Sequence, residues 1–225
     1  MEIQATGKYK AAVFDLDGTL ADTVESLMKS VNLVMEEYGH PGYGPEKIKA
    51  FVGDGAKTLM ERAFGAAGDD AHIEEGYLRY REIFKEYKSY KVTLYEGMKE
   101  TLKKLKSMGI RLAVVTNKPH ADAVGVVNRL AGENFFDVIC GQSEERPKKP
   151  DPAGALYVAE KMQVPCGECI YFGDTNVDMQ TGNAAGMFTV GVLWGFRTKE
   201  ELLENHAQLL IERPEEIVGL FCEKE

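Results

Sequence analysis

Five short apolar runs, each continuous rather than alternating and each ending at polar residues, constrain what this chain can fold into. They cover residues 11–14, 111–115, 137–140, 169–172 and 189–193. A strand with one wet face alternates apolar and polar residues; a continuous run is what burial on both faces of a parallel sheet requires. Helical patterns separate most of the runs. Met98, Leu102 and Leu105 recur at steps of four and three, with Gly109 placed where a helix would stop. Leu156, Val158, Ala159 and Met162 mark another helix, opened by Pro150-Asp151-Pro152. This alternation predicts an α/β fold with a doubly wound parallel sheet.

Residues 21–91 break the rhythm, carrying helix signals and no convincing strand. Leu27, Val31, Val34 and Tyr38 form one stripe, ended by Gly39. Leu59, Met60, Ala63 and Phe64 form a second, and Ile73, Tyr77, Tyr80, Phe84 and Tyr87 an aromatic third. The expectation is an α/β domain made of residues 1–20 and 92–225, interrupted by a small helical domain at 21–91. An aromatic stripe at helical spacing is read as the insertion's own core.

The net charge of −9 excludes a broad electrostatic hold on nucleic acid, which needs a basic face. No apolar run approaches the roughly 20 residues that span a bilayer. Residues 1–8 lack the basic patch and apolar stretch of a secretory signal, so a cytoplasmic protein is expected, away from membranes. Cys166 and Cys169 have the spacing of a zinc or redox pair, but no second ligand pair accompanies them. They are read as reduced thiols in a turn before a strand.

The first run ends in Asp15-Leu16-Asp17-Gly18-Thr19-Leu20. Side chains two apart on an extended segment project to one side, which brings Asp15 and Asp17 to the carboxyl edge where open α/β sheets bind ligands. One carboxylate can act as a nucleophile there and the second can shuttle protons. An acidic turn is the ordinary alternative, and a calcium loop is excluded by the missing later ligands. The second run ends in Thr116-Asn117, whose hydroxyl and backbone N–H groups can bind phosphate without adding charge. A lysine, Lys148 or Lys149, is held beside prolines just before a helix. Asp174 follows the fourth run, and Asp178, four residues on, would share its face on a helical turn. Four carboxylates at one edge, with a phosphate added, repel by several kcal/mol at surface-like dielectric. A divalent cation with oxygen ligands, Mg2+ by preference, together with a lysine, makes such a cluster tolerable.

Taken in order, Asp15-x-Asp17-Gly-Thr-Leu, Val-Thr116-Asn117, Lys149-Pro and Gly173-Asp174-x-x-x-Asp178 resemble the haloacid dehalogenase superfamily of hydrolases. The resemblance runs from about Lys10 to the region of Arg213–Glu216 and implies a Rossmann-like core, with 21–91 as a helical cap that closes over the site. It implies that Asp15 attacks phosphorus and ligates Mg2+. Asp17 would serve as acid and base while its backbone carbonyl binds the metal, and neighbouring carboxylates would keep it protonated. Thr116 and the Asn117 N–H would hold phosphate, Lys149 would neutralise charge, and Asp174 and Asp178 would complete the metal site. An aspartate at position 17 favours phosphatase over dehalogenase chemistry. Within the superfamily the stretches 51–56, 115–119 and 192–196 are similar to phosphoglycolate phosphatases, which implies that Gly53 and Gly55 form a loop that reads the leaving group. Lys57 and Arg62 are nearby cations for its carboxylate. The expected partner is a small phosphorylated metabolite, 2-phosphoglycolate first, and the chain a monomer or homodimer. Pyrophosphate, nucleotides, sugar phosphates, a phosphomutase of the same fold and a non-catalytic binding protein are the alternatives.

Overall fold

The computed structural model describes residues 7–222. It divides into two compact units, one formed by the residues up to Ala21 and from Leu94 onward, the other by Asp22–Thr93. In chain order the elements begin with β1 (Ala11–Phe14), β2 (Ala21–Asp22), α1 (Val24–Glu37), α2 (Pro45–Phe51), α3 (Ala56–Ala67), α4 (Ile73–Tyr87) and β3 (Thr93–Leu94). Then come α5 (Met98–Ser107), β4 (Arg111–Pro119), α6 (His120–Ala131), β5 (Val138–Gln142) and α7 (Ala153–Met162). The chain continues with β6 (Cys169–Gly173), α8 (Asn176–Ala184), β7 (Phe188–Val192), α9 (Lys199–Glu204), β8 (Leu209–Ile211) and α10 (Glu216–Gly219).

Six strands form one sheet in the order β5-β4-β1-β6-β7-β8, and every neighbouring pair in it is parallel. This is the doubly wound α/β arrangement that the continuous apolar runs predict. Alternate residues of each strand go to opposite faces. On one face Ala11, Val13, Ala113, Val115, Cys169 and Tyr171 pack with Val158, Ala159 and Met162 of α7. The other face carries Phe14 stacked on Phe172 at 5.0 Å, with Phe136 edge-on to Phe14. Strand β4 runs nine residues, past the apolar stretch and through Thr116-Asn117-Lys118, with a register irregularity between Val115 and Pro119. Strand β8 has no counterpart among the five sequence runs.

Register positions the chemistry. Phe14 lies level with Val114 of β4 and Phe172 of β6. Asp15 follows Phe14 directly, while Thr116 and Asp174 lie two residues beyond Val114 and Phe172, so the three reach the same carboxyl edge from separate parts of the chain.

The second unit is helical. Leu27, Val31, Val34 and Met35 of α1 pack with Leu59, Met60, Ala63 and Phe64 of α3 and with Tyr80, Ile83 and Phe84 of α4. The aromatic stripe of α4 belongs to this core. The four cysteines are free thiols, and Cys166–Glu168 forms a short 3-10 turn ahead of β6. Among the described residues no helix is long and apolar enough to cross a membrane.

Gly182 shows how tightly α8 sits on the sheet. A Cβ there would lie 2.5 Å from Thr189 Cγ2 and 2.9 Å from Tyr171 Cβ. Alanine gains about 1 kcal/mol of helix propensity over glycine, but the clash with the Tyr171 β-carbon cannot be relieved by a side-chain swing. Gly182→Ala should therefore destabilise the metal-free protein by about 1–3 kcal/mol in urea unfolding; unchanged or increased stability would show that α8 can lift off without cost.

Candidate active site

At the end of β1 the Asp15 N–H donates to Phe172 O at 2.9 Å, which fixes the residue against β6. The chain then turns through Gly18 at φ +90°. Only glycine fits, because a Cβ would fall 2.2 Å from Asp174 Oδ2. Thr19 Oγ1 donates to Asp174 Oδ1 at 2.7 Å, and the Phe196 N–H donates to Oδ2 at 2.9 Å. Asp174, fully buried, is thus oriented from both sides. Trp194 Nε1 donates to Thr19 O at 3.0 Å and ties the two orienting segments together.

Asp178 arrives differently from the helical-face expectation. Asp174 precedes the helix; Thr175 is its N-cap and Asp178 its third residue, joined in a capping box. Thr175 Oγ1 and N–H donate to Asp178 Oδ2 at 2.7 and 3.1 Å. The signature of such a box, a threonine with an acid three positions on, is present in the sequence.

Between these carboxylates lies Lys149, whose Nζ is 2.6 Å from Asp178 Oδ1 and 2.9 Å from Asp15 Oδ1. Lys149 is buried and Lys148 exposed, which decides between the two lysines. The Asn117 side chain clamps the backbone of this lysine: Lys149 N donates to Asn117 Oδ1 at 2.8 Å and Asn117 Nδ2 donates back to Lys149 O at 3.2 Å. The sequence points to the Asn117 backbone N–H alone; the clamp uses its side chain. Thr116 Oγ1 accepts from the Lys118 N–H at 3.2 Å, and a hydroxyl so engaged can still donate its own proton.

Asp15, Asp174 and Asp178 each offer an oxygen within 4.8 Å of the others, and all three are buried. Burial, then the charge of Asp178, pushes the Asp15 carboxyl up to about 7 against the pull of Lys149. Burial, then Asp178 and Asp15, holds Asp174 well above the usual carboxylate range. Burial alone would lower the Lys149 ammonium; Asp15 and Asp178 outweigh it and hold it well above the usual lysine. Although Asp15 Oδ1 lies at ion-pair distance from Lys149, it receives no well-formed hydrogen bond among the described residues. A buried set of hard oxygen ligands carrying more negative charge than one ammonium offsets fits a divalent cation.

Asp17 stands apart from this cluster. Lys118 Nζ donates to both of its oxygens at 2.8 Å, so its nearest charged neighbour is an ammonium. The carboxylate repulsion expected to govern Asp17 is not its closest interaction. In the sequence, only its place directly after Thr116-Asn117 marks Lys118. In the helical unit, Gly53 and Gly55 lie between α2 and α3 at φ +124° and +93°. Arg62 donates to Phe51 O and to Asp54 Oδ2, and Lys57 pairs with Glu74. Both cations are thus engaged by partners within their own unit.

Comparison with known proteins bears on this geometry. Residues 12–192 match the family described as haloacid dehalogenase-like hydrolase. A phosphoglycolate phosphatase of Pseudomonas syringae pv. tomato is 33% identical over 208 residues, covering 90% of this chain and 76% of its own. One from Xanthomonas campestris pv. campestris is 30% identical over 212 residues, covering 92% and 94%. Among solved structures, a haloacid dehalogenase-like family hydrolase from Streptococcus pneumoniae superposes with a TM-score of 0.86 at 26% identity, covering 95% of this chain and 99% of that one.

The raised Asp15 carboxyl sets a pH dependence for the metal-free protein. Its folded value of about 7 exceeds the ordinary 3.8, so the folded state holds the proton more tightly. The stability this contributes is complete below about pH 3.8 and is lost as pH rises through about 7. Asp15→Asn carries no such proton. In chelator, urea unfolding should show the wild type losing a few kcal/mol relative to Asp15→Asn across that window; parallel curves would contradict the burial and repulsion described.

Proposed function

The chain belongs to the haloacid dehalogenase-like hydrolases and is a phosphatase of that family, and on that premise we propose that it hydrolyses a small phosphate monoester, 2-phosphoglycolate before others, through an aspartyl-phosphate on Asp15. Support comes first from the buried Asp15–Asp174–Asp178 cluster, in which Asp15 and Asp178 pair with the Lys149 ammonium. The named activity of the curated relatives supports the substrate.

In this reading the Asp15 carboxylate forms a bond to phosphorus as the ester P–O bond breaks, and the departing alkoxide takes a proton from Asp17. Asp17 then removes a proton from a water whose oxygen bonds to phosphorus. The acyl-phosphate P–O bond breaks, releasing inorganic phosphate and restoring both aspartates. Thr116 Oγ1 and the Asn117 N–H hold phosphate oxygens. Lys149 keeps Asp15 and the phosphate from repelling each other, and Asn117 fixes Lys149. The residues that would hold Mg2+ are Asp15, Asp174, the Asp17 backbone carbonyl and Asp178, the last directly or through water. When bound, Mg2+ supplies positive charge that offsets the carboxylates and the transferring phosphoryl group. Residues 1–20 and 92–225 are the catalytic domain and 21–91 the cap, in a protein of the cytoplasm.

A screen of phosphate esters tests this. Free phosphate should appear from 2-phosphoglycolate with a higher kcat/KM than from pyrophosphate, nucleoside monophosphates or glucose 1-phosphate. Chelation should abolish turnover, and Asp15→Asn should reduce it by at least about 10^3-fold. Conversion of glucose 1-phosphate to its 6-phosphate would point to a phosphomutase instead, and no hydrolysis of any ester would sink the enzymatic reading.

A further inference from the structure

Lysines rarely lie buried without a partner that needs them. Lys118 and Lys149 are the two buried lysines among the described residues. Lys149 is engaged by the carboxylate cluster. Lys118 sits next to the Thr116-Asn117 pair, with its side chain 4% exposed and its Nζ 2.8 Å from both oxygens of Asp17. Its own N–H donates to Thr116 Oγ1. One residue thereby joins the phosphate-binding end of β4 to the residue that serves the leaving group.

Given the phosphatase reading above, on which this rests, we infer that Lys118 is a specificity residue: its ammonium recognises a carboxylate carried by the leaving group, one carbon from the ester oxygen. Reach supports the assignment. An acid must come within about 2.6–3.2 Å of the oxygen it serves, which puts Lys118 Nζ within about 6 Å of the leaving oxygen. A carboxylate one carbon away has its oxygens about 3 Å from the same atom by ordinary bond lengths, inside that span. Charge supports it too. Burial strengthens the attraction between an ammonium and any anion beside it, and Nζ donates to both oxygens of Asp17. While Asp17 is engaged with the leaving oxygen, the leaving group itself becomes the ammonium's neighbour. A carboxylate there attracts the ammonium by charge, whereas a neutral hydroxyl or a hydrocarbon does not. The cation that reads the leaving group thus lies at the end of β4, within the catalytic unit.

The test compares 2-phosphoglycolate with 2-hydroxyethyl phosphate, which replaces the carboxylate by a neutral alcohol. The wild type should prefer the former, and in Lys118→Met the ratio of the two kcat/KM values should drop by about 10- to 100-fold. Lys118→Arg should keep most of the ratio. Thermal unfolding of each variant checks that it is folded. An equal loss on both esters in Lys118→Met, leaving the ratio intact, would overturn the assignment and make Lys118 a support for Asp17 alone. A second arm uses Asp15→Asn with and without Lys118→Met, measuring binding of each ester in Mg2+ by titration calorimetry. Preference for 2-phosphoglycolate that disappears with Lys118→Met supports the inference; preference that is absent or persists overturns it. A wild type that hydrolyses neither ester would sink the 2-phosphoglycolate reading, while the binding arm would still judge Lys118.

Discussion

Three carboxylates gathered against one ammonium at the buried edge of a parallel sheet set the terms for everything around them. Like charges about 4 Å apart repel by about 4 kcal/mol even at an effective dielectric near 20, and burial adds the cost of lost hydration. Asp15 and Asp174 respond by holding their protons more tightly than carboxylates in water. Lys149 answers part of the charge. What is left over is the chemical demand for a cation, and for a phosphoryl group only in that cation's company.

The scaffold contributes rigidity. Parallel register sets Phe14, Val114 and Phe172 level, but position alone would leave flexible side chains free to separate. Thr19 and the Phe196 N–H fix Asp174, the capping box of α8 fixes Asp178, and Asn117 fixes the backbone of Lys149. Gly18 and Gly195 leave room for the Asp174 side chain, which a Cβ at either would meet at 2.2 Å. Groups that would repel one another in solution are thus held in place by neutral neighbours, as a preorganised site requires.

Much of this was legible in the sequence because it rests on local rules. Five runs without alternation require a sheet covered on both faces, and two aspartates at the end of the first run project to one edge. Asp15, Asp174, Asp178 and Lys149 do meet. What escaped depends on long-range or polar detail. Strand β4 continues through Thr116, Asn117 and Lys118, which apolarity cannot signal. Lys118 finds Asp17 across a sequence separation of 101. The short β8 pairs at the sheet's edge with too few residues to form a pattern. Asp178 was expected beside Asp174 by helical spacing, whereas the cap of α8 brings it there. Lys57 and Arg62 could be noted as cations, but their partners Glu74 and Asp54 were not readable from spacing alone.

The site requires that the buried carboxylates take up a cation by giving up the protons their crowding makes them retain. Titration calorimetry of Mg2+ into metal-free protein at pH 6, repeated in buffers of different ionisation enthalpy, measures both quantities at once. One ion should bind per chain with net release of protons to the buffer, and Asp174→Asn should remove the binding. Uptake of Mg2+ with no proton exchange, or undiminished in Asp174→Asn, would contradict it.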